Sequence, residues 1–352
     1  MRSPELFWPD ARAAVRKAAA SDPAAAVTAT PMPWDRHQRA AALASVAMAV
    51  PERVVTNETV AAGAGVTEQW IVHRTGVHER RNVSAGERLQ DLASAAGRAA
   101  LEGAAVAAED VDLVLVATVA ADDLLPNAAP LVAGELGATR AGAMDLGAAC
   151  TGFLSALAMA TAQVESGRSD NVLVIGADVL SRFIDSSDKG TAALFADGAG
   201  AALVAPATDA GGRIGDIGLR SDASGANSIR ASRDEQIIEM QGHDTFKAAV
   251  LRMSESTVEA VRLAGIELSD VDLFVYHQAN ARILAAVGER LGLDGDRVIN
   301  CIDRYGNTSS ATLPIALVDA RERGMLEPGM HVLLAAFGAG FTWGAGVIEW
   351  AA

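Results

Sequence analysis

Apolar and polar residues follow two different spacings along the chain, from about Leu43 to the C-terminus. Short runs of mostly apolar residues predict buried strands, and apolar positions three or four residues apart predict helices. The strands predicted in the first half are 45–50, 111–118 and 171–176, and the helices are 67–72 and 89–105. Thr67 is a candidate cap of the first helix. Because strands and helices alternate, we predict an α/β protein.

The second half of the chain repeats the pattern of the first. Residues 109–116 and 269–276 share a Val-Asp-Leu sequence that leads into a buried strand. A Leu-Gly pair follows each strand at a similar distance, at 136–137 and 291–292. Each half then continues to a strand, a glycine-containing turn and an apolar helix. A duplicated unit predicts that the two turns face each other across a pseudo-twofold axis.

These patterns divide the chain into three parts. We predict an N-terminal extension at 1–40, a first half at 41–205 with a nucleophilic cysteine, and a second half at 206–352 with a histidine and an asparagine. Within the extension, residues 11–18 are compatible with a short helix, and prolines interrupt any continuation.

Composition narrows the possible classes of protein and of binding partner. The 352 residues suffice for a large core, and a net charge of −15 argues against nucleic acid as a partner. No apolar run suits a membrane span, and the first residues lack the apolar core of a secretory signal. Cys150 and Cys301 form no CxxC pair, which fits a reducing cytoplasm. The histidines are scattered, so we expect no metal site.

Cys150 lies in the stretch around which the chain is organised, residues 144–153. A short strand ends at Gly147, and the cysteine then precedes an apolar helix that ends near Gly167. A thiol at the first turn of a helix faces unpaired N–H groups and the positive end of the helix dipole. We therefore expect a lowered thiol pKa and a reactive thiolate. On its own, the position also suits a small buried residue.

Two further polar residues lie at strand-to-helix turns. His277 follows the predicted strand 273–276, at the strand end where α/β folds place their chemistry, and Asn307 precedes another apolar helix. Taken singly, the histidine could bond a backbone carbonyl and the asparagine could serve only the turn. Three polar residues at three such turns favour a shared site.

Five motifs together resemble β-ketoacyl-acyl-carrier-protein synthase III, a family of the thiolase superfamily. They are Trp70–Gly76, Ala148–Phe153, His277–Asn280, Gly306–Ser309 and Phe337–Gly344. The resemblance runs from about Leu43 to the C-terminus, in the order and spacing of the family. It implies a thiolase-like, five-layered αβαβα fold made of two duplicated halves, assembled as a homodimer.

The resemblance also implies a reaction, the decarboxylative condensation of an acyl-CoA starter with malonyl-acyl carrier protein, which initiates fatty acid or polyketide synthesis. Cys150 would carry the acyl group, with an oxyanion hole formed by the N–H groups of Cys150 and Ala339. His277 and Asn307 would donate to the enolate, and Phe337 would supply an apolar wall that assists decarboxylation. No cofactor would be bound permanently, because coenzyme A enters as a thioester substrate.

Further residues gain roles only through the resemblance. Those implied in coenzyme A binding are Trp70, Arg74, Thr75, Lys189, Gly242, Phe246 and Asn280. Those implied in the acyl pocket are Leu180 and Leu125, the latter at the floor of the partner subunit's pocket. Those implied in docking an acidic carrier protein are Lys247, Arg282 and Arg290. A helix-packing role for Trp70 and an ordinary solvated face for the three cations are the alternatives, and Glu289 weakens the positive patch.

Three positions depart from the family pattern. Lys189 stands where many relatives have an arginine that stacks on adenine, and His243 replaces a common asparagine. Leu125 replaces a frequent phenylalanine, which favours a branched or longer starter and a specialised pathway.

Two other functions stay open at this stage. One is acyl transfer from coenzyme A or carrier protein to a hydroxyl or an amine. The other is a non-catalytic scaffold subunit. Asn307 argues against the first because simple acyl transfer has less need for a second enolate donor. The intact cysteine, histidine and asparagine argue against the second.

Overall fold

The structure is a computed structural model, and it describes residues 39–208 and 212–351. The predicted extension, including the short helix at 11–18, lies outside the described residues except for its last two positions. The strands are β1 (Ala41–Ala49), β2 (Val54–Thr56), β3 (Glu79–Arg81), β4 (Leu113–Ala117), β5 (Gly142–Leu146), β6 (Val172–Val179), β7 (Asp197–Pro206), β8 (Arg213–Ile214), β9 (Gly218–Ser221), β10 (Ile229–Ala231), β11 (Ile238–Met240), β12 (Leu273–Tyr276), β13 (His331–Gly338) and β14 (Thr342–Glu349). The helices are α1 (Asn57–Ala64), α2 (Glu68–Thr75), α3 (Leu89–Gly103), α4 (Ala128–Leu136), α5 (Gly152–Glu165), α6 (Gly242–Ala264), α7 (Ala281–Leu291), α8 (Ile302–Tyr305) and α9 (Thr312–Glu322).

Two sheets of the same design form the framework. The first has the order β1-β7-β6-β4-β5, and the second has the order β12-β13-β14-β8 with β9 also paired to β14. In both, a parallel pair (β4 with β6, β12 with β13) is followed by an antiparallel pair (β6 with β7, β13 with β14). Val298 forms a parallel bridge to Phe274 on the free side of β12, as β5 does along β4. The duplication predicted from the sequence is confirmed.

The helices complete five layers. Residues of α5 and α9 share one hydrophobic core with residues of both sheets, so these two helices lie between the sheets. Helices α3 and α4 pack on the other face of the first sheet, and α6 and α7 on the other face of the second. The predicted αβαβα order is therefore confirmed.

Local sequence explains where the elements begin and end. All eight residues of β6 are buried, as expected for a strand covered on both faces. The Thr67 side chain accepts a hydrogen bond from the N–H of Trp70 at 3.1 Å, so the predicted cap of α2 is confirmed. The cation-rich segment 73–81 contains the end of α2, Gly76 in the left-handed region at φ 79°, and strand β3.

Matching turns precede the two inner helices. Ala149–Thr151 leads directly into α5, and Ser309–Ala311 leads directly into α9. In each, the first residue has a positive φ, 45° at Ala149 and 52° at Ser309. Each turn also lies against a strand of the opposite half, close to Gly338 for the first turn and Gly176 for the second. The duplication therefore brings the cysteine turn and the asparagine turn together between the sheets.

Candidate active site

A single cavity of about 1320 Å³ brings together residues from both halves. Cys150, His277 and Asn307, the three residues proposed from the sequence, all line it. It also receives Phe337 and Ala339 from the end of β13. We call this space the active-site cavity.

Cys150 occupies the middle of the turn before α5 and is half-buried. A Cβ atom placed on Gly338 would lie 2.9 Å from the Cys150 backbone nitrogen, so the second half supports this turn closely. Burial raises the pKa of the Cys150 thiol to about 12; a hydrogen bond from Ser309 opposes this shift, and the charge of Asp178 adds a smaller part of the rise. The expectation of a lowered pKa is therefore wrong for the free protein, because removal of water outweighs the helix terminus.

His277 follows β12 and is only 1% exposed. Its Nδ1 atom lies 2.6 Å from Oγ1 of Thr312, and its backbone N–H donates to the Ala335 carbonyl at 2.8 Å. Burial lowers the imidazole pKa to about 3, so the ring is neutral near pH 7. A neutral imidazole has one nitrogen that donates and one that accepts.

Asn307 is fixed by its backbone and by its side-chain oxygen. Its N–H donates to the Leu194 carbonyl at 2.9 Å, and its carbonyl accepts from the Ala196 N–H at 3.0 Å. Its Oδ1 accepts from the Ser309 N–H at 2.9 Å. Within residues 39–208 and 212–351, Nδ2 makes no protein hydrogen bond, so two donor hydrogens are left for a ligand.

Phe337 and Ala339 lie at the end of β13. The Phe337 ring packs against Phe341 with centroids 4.8 Å apart and presents an apolar surface to the cavity. Ala339 lines the cavity one residue after Gly338, which contacts the Cys150 turn. The positions fit the predicted wall and the predicted second N–H group of an oxyanion hole.

Residues implied in coenzyme A binding lie around the mouth of the cavity. All of them contribute to its lining, namely Trp70, Arg74, Thr75, Lys189, Gly242, Phe246 and Asn280. The Trp70 ring has Arg74 Cζ 5.8 Å and Lys189 Nζ 5.7 Å from its centroid, a cation–π arrangement.

Two of these mouth residues are tied to the backbone. The Thr75 hydroxyl donates to the Ile71 carbonyl at 2.7 Å and accepts from the Val77 N–H at 3.0 Å, so it is already engaged. Asn280 Oδ1 accepts from the Arg282 N–H at 2.9 Å, and Nδ2 donates to the Arg74 carbonyl at 3.1 Å.

The acyl-pocket and docking residues are distributed unevenly. Leu180 lines the cavity, whereas Leu125 is 80% exposed and does not; its neighbour Leu124 does. Lys247 and Arg282 are exposed at the rim, and His243 also contributes to the lining. Arg290 is exposed on α7 but does not line the cavity.

Asp178, near the end of β6, is a site residue that was not predicted from the sequence. Its buried carboxylate accepts hydrogen bonds from the Val119 N–H at 2.9 Å and the Thr118 hydroxyl at 3.1 Å. It also accepts from the Ser310 N–H at 3.0 Å and the Ser310 hydroxyl at 2.7 Å. Burial raises the Asp178 pKa. An acid ending an otherwise apolar run was the signal that could have revealed it.

The described ranges hold neither a metal-binding cluster nor a membrane-spanning helix. Among residues 39–208 and 212–351, no three His, Cys, Asp or Glu side chains are grouped as a metal site requires. No helix in those ranges combines the length and apolar character needed to cross a bilayer.

The fold and the meeting of a cysteine with a histidine and an asparagine from the opposite half define an acyl-transferring condensing enzyme of the thiolase superfamily. Residues 144–223 match the family described as 3-oxoacyl-acyl-carrier-protein synthase III, and residues 261–350 match the family described as the C-terminal part of the same enzyme. The chain is 42% identical over 325 residues to β-ketoacyl-acyl-carrier-protein synthase III of Roseiflexus sp. (strain RS-1), covering 89% of this chain and 99% of the relative.

Solved structures agree with this assignment. The crystal structure of β-ketoacyl-acyl-carrier-protein synthase III from Thermus thermophilus matches with a TM-score of 0.85 and 42% identity, covering 88% of this chain and 100% of that one. The priming β-ketosynthase from the R1128 polyketide biosynthetic pathway matches with a TM-score of 0.85 and 36% identity, covering 88% and 96%. This chain belongs to the β-ketoacyl-acyl-carrier-protein synthase III family.

Proposed function

We propose that this enzyme condenses an acyl-CoA starter with malonyl-acyl carrier protein, releases CO2 and so initiates fatty acid or polyketide synthesis. The observation that supports this most is the shared cavity, in which Cys150 from one half meets His277 and Asn307 from the other. A nucleophile alone supports acyl transfer, whereas two added donors support stabilisation of an enolate.

The first step transfers the acyl group. The sulfur of Cys150 attacks the thioester carbonyl, the bond to the coenzyme A sulfur breaks, and the proton lost by Cys150 is balanced by protonation of the leaving thiolate. The N–H groups of Cys150 and Ala339 hold the oxygen that becomes negative during the addition. Because burial raises the thiol pKa to about 12, we expect proton loss to accompany substrate binding rather than precede it.

The second step forms the carbon–carbon bond. Malonyl thioester loses CO2, and its enolate oxygen accepts hydrogen bonds from His277 and Asn307. The enolate carbon then attacks the acyl-cysteine, the carbon–sulfur bond breaks, and the Cys150 thiolate takes up one proton from solvent, which the overall reaction consumes. Phe337 favours loss of the carboxylate because an apolar wall solvates the charged group poorly.

Substrate recognition follows from the mouth of the cavity. Trp70 is proposed to stack on the adenine ring, with Lys189 near it as the counterpart of the family's stacking arginine and Arg74 as the partner of the phosphates. The exposed cations Lys247, Arg282 and Arg290 are proposed to dock the acidic carrier protein. The net charge of −15 does not prevent this, because salt screens negative charges that lie more than about 8 Å away.

A homodimer completes the site in this proposal. Within the described residues, β5 is an edge strand paired only to β4, and Met144 on it is 46% exposed. Leu124 and Leu125, 73% and 80% exposed, add an apolar surface that suits a second copy. Light scattering should give a dimer mass, and Met144→Lys should lower it toward that of a monomer; a monomeric wild type would refute the assembly.

Two further expectations belong to the same proposal. Working in a reducing cytoplasm would keep the thiol of Cys150 free for acylation. The first half would end at residue 205 and the second would begin at 206, at the end of β7.

The reaction is tested with the purified chain, a panel of straight and branched acyl-CoAs, and malonyl-acyl carrier protein. We expect CO2 and carrier-bound β-ketoacyl chains in equal amounts, and we expect Asn307→Ala to suppress both while Cys150 still becomes acylated. Acyl groups on an added alcohol or amine without CO2 would instead identify a simple acyltransferase. A chain that takes up no acyl group would identify a scaffold.

A further inference from the structure

The turn between Asn307 and α9 contacts both proposed enolate donors. The Ser309 N–H occupies Oδ1 of Asn307 at 2.9 Å, and Oγ1 of Thr312 lies 2.6 Å from Nδ1 of His277. Thr312 is the first residue of α9, is 2% exposed, and does not line the cavity. It therefore reaches the chemistry only through His277.

The direction of the hydrogen bond between Thr312 and His277 decides which ring nitrogen carries the proton. The Thr312 hydroxyl has one hydrogen and two acceptors within reach, Nδ1 of His277 at 2.6 Å and the Ser309 carbonyl at 3.1 Å. The contact with Nδ1 is the shorter of the two, and the Ser309 carbonyl also accepts the Thr312 backbone N–H. Within the described part of the chain, Nδ1 has no partner besides this hydroxyl. The separation of 2.6 Å is shorter than about 2.7 Å, the lower end of the range for an N–H group that donates to oxygen, and this favours the hydroxyl as the donor.

We propose that Thr312 is a positioning residue whose hydroxyl donates to Nδ1 of His277 and so fixes the tautomer with its proton on Nε2. The ring then presents a donor to the cavity, as Asn307 does once Ser309 occupies its oxygen. One turn thus leaves each side chain only donors to offer, which is what an enolate oxygen requires. Because the burial of His277 keeps the ring neutral, its tautomer decides whether the nitrogen facing the cavity donates or accepts a hydrogen bond.

A histidine with this tautomer does not act as the base that deprotonates Cys150. With its proton on Nε2, neutral His277 has no lone pair facing the cavity and does not take the proton of Cys150 in the free enzyme. Acylation of Cys150 therefore depends little on Thr312, whereas stabilisation of the enolate depends on it strongly.

The assignment is tested first by nitrogen-15 NMR of the full chain labelled at histidine, with His277→Asn used to identify the ring signals. We expect a protonated Nε2 and an unprotonated Nδ1. The opposite pattern would overturn the proposal. This measurement needs no turnover, so it remains decisive even if the proposed condensation proves wrong.

The kinetic test rests on the proposed function and compares Thr312→Val with Thr312→Ser. We expect the valine variant to lower CO2 release from malonyl-acyl carrier protein at least about 10-fold while Cys150 acylation stays within about 2-fold. Serine, which keeps the hydroxyl, should restore most of the rate. Equal slowing of both steps, or a serine variant as slow as valine, would contradict the proposal.

A matched control removes a similar hydroxyl elsewhere. Thr161 is buried on α5, and its hydroxyl donates to the Leu157 carbonyl of its own helix at 2.8 Å. Thr161→Val should leave the ratio of decarboxylation to acylation at the wild-type value. If Thr312→Val does not fold, the wild-type NMR spectrum still shows which ring nitrogen is protonated, and Thr312→Ser still shows whether a hydroxyl at this position sustains decarboxylation.

Discussion

Replacing Gly338 by alanine should slow acylation of Cys150 without unfolding the protein. The new Cβ would meet the Cys150 backbone nitrogen at 2.9 Å, its Cα at 3.3 Å and its Cβ at 3.1 Å. Ordinary contact begins at 3.4 Å, so the cysteine turn has to retreat by about 0.5 Å. A misplacement of about 1 Å can cost about 100-fold in rate, and we therefore expect about a 10-fold loss.

The assay is the single-turnover rate of acyl transfer from acyl-CoA, followed by intact mass. Overpacking should also lower the free energy of unfolding by about 1–3 kcal/mol, and a thermal melt would register this. Gly288→Ala on α7 is the matched control, because a Cβ there meets nothing within 4 Å. It should leave acylation within about 2-fold of wild type and stabilise the helix by up to about 1 kcal/mol. Wild-type acylation in Gly338→Ala would refute the reasoning.

The iodoacetamide reaction of Cys150 should accelerate about 10-fold per pH unit between pH 6 and 9, because its pKa is about 12; a plateau below pH 7 would restore the thiolate expectation. Because the His277 pKa is about 3 in the folded protein and 6.5 for an exposed ring in the unfolded chain, unfolding free energy should fall as pH drops through this window. His277→Asn should lack about 1.4 kcal/mol per pH unit of that fall, and parallel urea titrations of the two proteins would show it. Trp70→Ala should raise KM for acyl-CoA about 10-fold with little change in kcat, and an unchanged KM would remove Trp70 from nucleotide binding.

Periodicity was enough to predict most of the framework. The buried runs are strands β4 and β6, and the helical spacing at 89–105 is helix α3. The repeated Val-Asp-Leu segments lead into β4 and β12, which occupy equivalent positions in the two sheets. These signals are local, because a strand or helix that faces a core shows its buried positions in its own sequence.

Properties set by distant residues were not predictable in this way. The thiol pKa of Cys150 depends on protein atoms that exclude water and on Asp178, which lies 28 positions away in the sequence but beside the same turn. The contact of Thr312 with His277 joins two elements whose separate patterns give no sign of the pairing. The expectation that Leu125 lies at the floor of the partner subunit's pocket depends on a second chain and stays a prediction.

The central claim is that Cys150 carries the acyl group and gives it up to a decarboxylated malonyl unit. Intact mass spectrometry after incubation with an acyl-CoA tests this most directly, first alone and then after addition of malonyl-acyl carrier protein. The account predicts one acyl mass on Cys150 that is absent from Cys150→Ala and disappears when malonyl-acyl carrier protein is added. An adduct that persists in Cys150→Ala, or one on Cys150 that malonyl-acyl carrier protein never discharges, would contradict it.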